Sequence, residues 1–492
     1  MKDNGVVAGS LNCEYRQDDY AFMKNLSRRS VLKAAAGAVV LGPAGWRHAV
    51  CAEDGTGALP TPTPAQSRWQ NCEIGVIYHL DMPLVAGDFT ANNGTRKTYD
   101  PRLYNPVRLD TDQWIAAAKA VGAKYAIFTA THFNGFMQWQ SDLYPYSLKY
   151  VVWRNGKGDI VADFVTSCRK ADILPGIYLS THRNAYQTVW GHYVDWGKGR
   201  GTEQQKAYNR IAEKQTEELC SRYGKLVQIW YDAGVKTPEQ GGPDVLPIFE
   251  KYQPDSVFYH SEERSDHRWI GNEEGHAGYP CWATMPGHDR GAVSHNSDVW
   301  KGHLYHGDAD GSLWSPGMVD IVLRGKGNHD WFWRPGKDNT QYPVETLMQI
   351  YDASVGRNCN LVIGLVVDNQ GLVPQPDVDR MAEFGRALKH RFSEPAGRAQ
   401  GQGESMELKL DRPQKINQMV LQEEISAGER IQAYELHGRT AGDHWIRLAA
   451  GTAVGHKRIE CFDSVEVDAI RLQVTRSRAM PLIRTLAAGL RT

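Results

Sequence analysis

Asp232 closes the run Leu226-Val-Gln-Ile-Trp-Tyr-Asp-Ala-Gly234. An apolar stretch of strand length that ends in a carboxylate and then glycine places an acid at the C-terminal tip of a β-strand, where a loop begins. In a barrel of alternating strands and helices, that end carries the active site. Other polar groups fall at comparable places. His79 and His132 end two further predicted strands, Tyr178 lies on a third, and Trp230 stands two residues before Asp232. The loop after the next strand holds Glu262, Glu263, Arg264, Arg268, Glu273 and Glu274. Two carboxylates in an aromatic pocket, with His and Arg to hold hydroxyls, are the parts that glycoside hydrolysis needs: one carboxylate attacks the anomeric carbon or activates water, and the other protonates the leaving oxygen.

Other chemistries lack their parts. No glycine-rich loop of phosphate-binding type follows a strand, and no GxSxG elbow is present; no HExxH occurs either, but His and Asp are plentiful and metal-assisted hydrolysis stays open on the residues alone. The cysteines Cys72, Cys168, Cys220, Cys281, Cys359 and Cys461 are scattered singly without a CxxC pair, so neither a metal site nor a redox motif is expected and they read as buried thiols. A formal net charge of -1 leaves no basic excess to neutralise phosphates, which argues against nucleic acid as a partner.

The elements that must position these groups follow in order. Cys72–Leu80 is a strand; Asp110–Gly122 is a helix, with Asp110 as cap, Trp114, Ala118 and Val121 on one face and Gly122 as stop. Tyr125–His132 and Pro175–Ser180 are strands separated by a helix at about 160–171, and a helix at about 203–223 leads to the strand ending in Asp232. Ser256–Ser261, Val319–Arg324 and Asn360–Val367 continue the series, and a helix at about 377–390 closes it. Strands this apolar, alternating with amphipathic helices, predict a parallel sheet covered on its outside. The fold class is therefore α/β, a (β/α)8-like barrel over residues 71–396. Residues 262–317 read as one long loop, and a loop of that length inside a compact domain is usually functional.

Both ends differ in texture. Ser27-Arg-Arg-Ser30 before the short apolar stretch Ala34–Gly42 reads as a twin-arginine export leader within residues 1–52, predicting a periplasmic or extracellular bacterial protein. That stretch is too short for a stable membrane span. Residues 53–70, rich in Pro, Thr and Gly, read as a linker. The glycine-rich segment 397–403 reads as a second linker, and after it the period-two runs Met406–Leu410, Ile431–Leu436 and Ile470–Val474 predict a small β-sandwich over residues 403–492.

The motifs resemble one family, the α-L-fucosidases of glycoside hydrolase family 29. Thr131-His-Phe-Asn-Gly-Phe-Met-Gln-Trp139 is similar to the family's Lys-His-His-Asp-Gly-Phe-x-x-Trp segment, and Ile229-Trp-Tyr-Asp-Ala-Gly234 to its nucleophile strand. Arg268-Trp-Ile-Gly-Asn-Glu-Glu-Gly275 resembles the acid/base segment of the branch with a C-terminal β-domain, and Trp331-Phe-Trp333 also fits. The resemblance implies a retaining exo-glycosidase without cofactor or metal. Asp232 would be the nucleophile and Glu273, or its neighbour Glu274, the acid/base. His79, His132, Tyr178, Trp230, Arg268 and Trp331 would bind the sugar. The implied substrate is a fucosylated oligosaccharide or polysaccharide, including a sulfated fucan. Four departures bear on specificity: the family's paired His is His132-Phe133, the following Asp is Asn134, the usual His-Trp-Gly is His79-Leu-Asp81, and Thr181-His182-Arg183 stands where Trp-Asp is expected after the third strand's Ser. They keep open a related L-sugar such as an α-L-galactoside, or a carbohydrate-binding protein on a degenerate barrel.

Overall fold

A computed structural model describes residues 58–90, 96–288, 291–292, 302–326 and 329–491. The twin-arginine segment lies outside them. Eight parallel strands form one sheet: β1 (Ile74–His79), β2 (Tyr125–Thr129), β3 (Leu174–Leu179), β4 (Gln228–Val235), β5 (Val257–Ser261), β6 (Arg268–Trp269), β7 (Gly317–Val322) and β8 (Cys359–Val366). Their order is β5-β4-β3-β2-β1-β8-β7-β6, so β1 pairs with both β2 and β8 and the sheet curls into a barrel. Between β5 and β6 a side chain replaces the ladder: the Asp266 N–H donates to Phe258 O at 3.0 Å while Asp266 Oδ2 accepts from Phe258 N at 2.7 Å. Every residue of β1, β2, β7 and β8 is buried, as expected for strands covered on both faces.

Among the described residues the α-helices longer than one turn are α1 (Pro64–Gln70), α2 (Thr111–Val121), α3 (Ile160–Lys170), α4 (Glu203–Arg222), α5 (Leu246–Tyr252), α6 (Val344–Ala353) and α7 (Gln375–Phe392). Local chemistry sets their ends. The Asp110 carboxylate accepts from the N–H groups of Asp112 and Gln113, and Gly122 ends α2 with φ +86°. Asp159 and Thr202 cap α3 and α4 in the same way. Gly385 lets α7 close on α2, because a Cβ there would lie 2.0 Å from Ala120 O.

Three expectations are corrected. The second half of the expected linker is helical: Thr63 and Gln66 make a capping box, and Trp69 is fully buried, donating from Nε1 to Gln228 Oε1 at 2.8 Å beneath the barrel. The expected loop 262–317 contains β6, whose two residues are too short to leave a periodic pattern. The glycine-rich segment expected as a second linker is strand β9 (Gly397–Gln402).

That strand opens an antiparallel six-stranded sheet with β10 (Ser405–Glu423), β11 (Ile431–Thr440), β12 (His444–Gly451), β13 (Arg458–Ser477) and β14 (Leu482–Gly489), in the order β9-β14-β10-β13-β11-β12. The long strands β10 and β13 shift register at Lys409/Gln414 and Ile416/Gln418. Such bulges bend strands, and the bent sheet folds over a core that includes Leu408, Ile416, Leu436, Ile470 and Leu486. Buried polar groups tie it to the barrel: Glu429 accepts from Ala283 N at 2.9 Å and from Asn358 Nδ2, and Asn358 Oδ1 accepts from His456 N at 2.7 Å. Among the described residues all six cysteines are free thiols, and no helix is long and apolar enough to cross a membrane.

Candidate active site

Strand β4 presents Asp232 through a break in its pairing. Trp230 pairs with Tyr259 and Val235 with Ser261, so four residues of β4 stand against one of β5. The excess is taken up by two left-handed residues, Ala233 at φ +57° and Gly234 at φ +76°. The Gly234 position tolerates no side chain, since a Cβ would meet His260 Cε1 at 2.7 Å. The bulge aims Asp232 into the barrel mouth, where the Tyr178 hydroxyl donates to Oδ2 at 2.7 Å.

Aromatic and imidazole rings surround this carboxylate. His79, at the tip of β1, lies 4.9 Å from Trp331, 5.2 Å from Phe332 and 5.7 Å from His132, centroid to centroid. His132 stacks on Tyr178 at 5.6 Å, and Tyr178 lies 6.2 Å from Trp230. The structure thus brings together His79, His132, Tyr178, Trp230 and Trp331 around Asp232. Burial pushes the His79 imidazole down to about 3 and holds His132 well below its usual range, the latter helped by His79 and Arg183. Both rings are neutral at ordinary pH and offer a donor and an acceptor rather than a charge. Nδ1 of His79 is buried with no hydrogen-bond partner among the described residues.

Glu273 reaches the same mouth from the loop after β6. Its Oε2 accepts from His329 Nε2 at 2.6 Å and from Trp331 Nε1 at 3.0 Å. Burial favours its neutral form, but these hydrogen bonds and the His329 charge outweigh burial and lower its pKa. For Asp232 burial prevails: it raises the pKa, aided by the Glu273 charge and opposed by Tyr178, the Ala233 N–H and Arg183. A third carboxylate, Asp320 of β7, accepts from Trp269 Nε1 at 2.8 Å, and burial, with the Glu273 and Asp232 charges, raises its pKa well above the usual range. Three acids of unequal proton affinity thus share one low-dielectric space, a pattern that marks acid/base sites.

Two sequence expectations change. Arg268 does not line the pocket: it is fully buried, and its guanidinium donates to Leu304 O at 3.0 Å, Ser315 O at 2.6 Å and Cys281 Sγ at 3.2 Å. An arginine inside a functional loop looks like a ligand group until its direction is known, and here it turns inward to hold the loop. Glu274 turns to solvent, with a side chain 76% exposed that contacts His276, so Glu273 is the acid of the pair that lies with the ring cluster. Sequence reasoning missed His329 and Asp320, and it gave no role to Phe332, inside the Trp331-Phe-Trp333 motif, or to Arg183, noted only as a departure. His329 stands two residues before that motif and could have been found from it; Asp320 is hidden inside an apolar strand.

The comparisons with known proteins agree with this geometry. Residues 88–391 match the family profile described as Alpha-L-fucosidase. The chain belongs to the α-L-fucosidases. Alpha-L-fucosidase 1 of Arabidopsis thaliana is 29% identical over 469 residues, covering 87% of each chain. A crystal structure from Bacteroides thetaiotaomicron VPI-5482, assigned to the α-L-fucosidases, superposes with a TM-score of 0.82 at 44% identity, covering 88% of this chain and 99% of that one. A glycoside hydrolase 29 fucosidase from Ruminococcus gnavus, solved in complex with fucose, shares the fold, with a TM-score of 0.75 at 22% identity and coverage of 89% and 97%. As a family 29 glycoside hydrolase, the protein carries the family's barrel together with the C-terminal β-sheet domain.

Proposed function

We propose that the protein is a retaining exo-α-L-fucosidase that removes terminal α-L-fucosyl residues from oligosaccharides or polysaccharides. Asp232 attacks the anomeric carbon and forms a covalent fucosyl-enzyme; Glu273 first protonates the leaving oxygen and then activates water as a base. The observation that carries this reading is the placement of Asp232. A pairing break projects it beside Tyr178 and two neutral buried imidazoles, while the charge of Glu273 acts on it from another loop. The unsatisfied His79 nitrogen suits a sugar hydroxyl, because an unpaired buried polar atom costs free energy that a ligand hydroxyl recovers. Trp230, Trp331 and Phe332 supply flat apolar surface for the ring.

The test is release of 4-nitrophenol from 4-nitrophenyl α-L-fucoside by wild type, Asp232→Asn and Glu273→Ala. Loss in the Asn variant, together with azide restoring turnover of Glu273→Ala as fucosyl azide, supports both roles. Wild-type release that survives in Asp232→Asn sinks the assignment of the nucleophile. We further propose export through the twin-arginine segment. Replacing Arg28 and Arg29 with Lys would then leave the protein in the cytoplasmic fraction, and unchanged fractionation would refute it.

A further inference from the structure

Beside Asp232 the pocket has a basic, aromatic rim that the hydrolytic mechanism does not use. Arg183 lies on the short hairpin Arg183–Asn184/Val189–Trp190 that follows β3. Its guanidinium carbon lies 4.6 Å from the centroid of Phe133 and 4.1 Å from that of Trp190. Phe133 stands where the family has a second histidine, so a hydroxyl-binding imidazole has given way to a ring that seats a cation. A second guanidinium, that of exposed Arg96, lies 4.7 Å from the same Trp190 and 5.0 Å from Trp196. The other departure from the family, Asn134, steadies this arm: its Nδ2 donates to Lys97 O at 2.6 Å and its Oδ1 accepts from the Tyr146 hydroxyl at 2.5 Å.

Stacking uses the faces of a guanidinium and sends its N–H fork along the plane, the geometry suited to bidentate binding of an oxyanion. Two guanidinium groups seated on one indole repel each other, and an anion bound at this rim relieves that repulsion. The surroundings are also basic, since His182 is pushed down to about 4 by burial and then by the charges of Arg183 and Lys236.

The rim lies on the nucleophile's side of the site. Phe133, under Arg183, lies 4.2 Å from His132, which stacks on the Tyr178 that bonds Asp232, whereas Glu273 is held by His329 and Trp331. The leaving group belongs with the acid, so the rim faces the fucosyl ring itself. A 6-deoxy sugar has no carboxylate of its own, and an anion on its ring must be an ester.

We propose that Arg183 and Arg96, held on Phe133, Trp190 and Trp196, form a subsite for a sulfate or phosphate ester on a hydroxyl of the terminal fucosyl residue. The proposal rests on the fucosidase reading. It makes the departures at positions 133 and 134 one adaptation rather than two losses.

The experiment compares kcat/KM on 4-nitrophenyl α-L-fucoside and on its 2-, 3- and 4-O-sulfated and phosphorylated forms for wild type, Arg183→Lys and Arg96→Ala, with calorimetric binding of the same compounds to Asp232→Asn. At least one ester is expected to be a better substrate than the parent, and its advantage is expected to fall about tenfold in each arginine variant, the size of one lost charge-assisted contact. A preference for phosphate over sulfate, or the reverse, names the ester. If the parent turns over but no ester surpasses it, or if the advantage persists in both variants, the subsite is overturned and the fucosidase reading stands. If neither parent nor esters are hydrolysed by wild type or bound by Asp232→Asn, the fucosidase reading fails, and the subsite with it.

Discussion

Asp232 and Glu273 act in one pocket but are held in opposite ways. Asp232 belongs to the barrel: it sits on an eight-residue strand, in a bulge set by Ala233 and Gly234, with a Tyr178 hydrogen bond from the neighbouring strand. Glu273 belongs to a long excursion whose one barrel strand among the described residues is two residues long, and side chains hold it: His329 and Trp331 at the carboxylate, Arg268 beneath the loop, and Glu429 from the C-terminal domain. Backbone pairing fixes one acid and packed polar contacts fix the other. A group held by side chains can shift as substrate arrives, which suits an acid that must exchange protons with both the leaving group and water. A nucleophile gains from not moving.

The sharpest break in the comparison is chemical. Asp232→Asn should lose about a thousandfold or more in kcat on every fucoside, because no other carboxylate can form the intermediate. Glu273→Gln should lose a comparable factor, roughly 10²–10⁴, only when the leaving group needs protonation. With a 2,4-dinitrophenyl leaving group the first step should be nearly unimpaired and show as a burst, with water attack then limiting. Equal losses in both variants on the activated and the natural substrate would mean that Glu273 positions the sugar rather than moving a proton.

The same division explains what could be read in advance. Strands β1, β2, β3 and β4 were legible because each is a continuous apolar run, although β2 stops at Thr129, before His132, and β4 runs past Asp232 to Val235; the barrel follows from their alternation with capped helices. Around the acid, Glu273 and Trp331 were legible only through the family resemblance, and the rest of its support was not. His329 has no periodic neighbour to mark it, β6 is too short for a period, and Arg268 carries no sign of whether it points into the pocket or beneath it. The bulge at Asp232 was visible only as Ala-Gly after the acid, which suggested a loop and proved to be a kink within the strand. The β9 segment misled for a related reason: its glycines look like a linker, while its pairing with β14 is supplied by residues some 85 positions later.

A middle-sized effect tests the loop's anchor. Arg268→Met keeps much of the volume but removes the donors to the buried carbonyls of Leu304 and Ser315. At about 1–3 kcal/mol for each buried group left unsatisfied, the variant should lose roughly 3 kcal/mol of stability in urea or thermal unfolding. Its remaining folded enzyme should have a lower kcat, because Glu273 is no longer positioned, with KM little changed. A rise in KM with unchanged stability would return Arg268 to the substrate pocket.

The smallest effect concerns the charge of the acid held by side chains. Productive attack needs Asp232 ionised and Glu273 protonated. The free enzyme works against both forms: burial raises Asp232, while His329 and Trp331 overcome burial and lower Glu273. The alkaline limb of kcat/KM reports the loss of the proton from the acid in the free enzyme. Removing a hydrogen bond that stabilises the Glu273 carboxylate raises its pKa, so His329→Phe should move the alkaline limb to higher pH. The acid limb, set by Asp232, should stay in place because Tyr178 and the Ala233 N–H are untouched. A Trp331→Phe variant should move the same limb in the same direction. If neither variant moves it, the group that titrates there is not Glu273, and the contrast between a fixed nucleophile and a tunable acid fails at its second member.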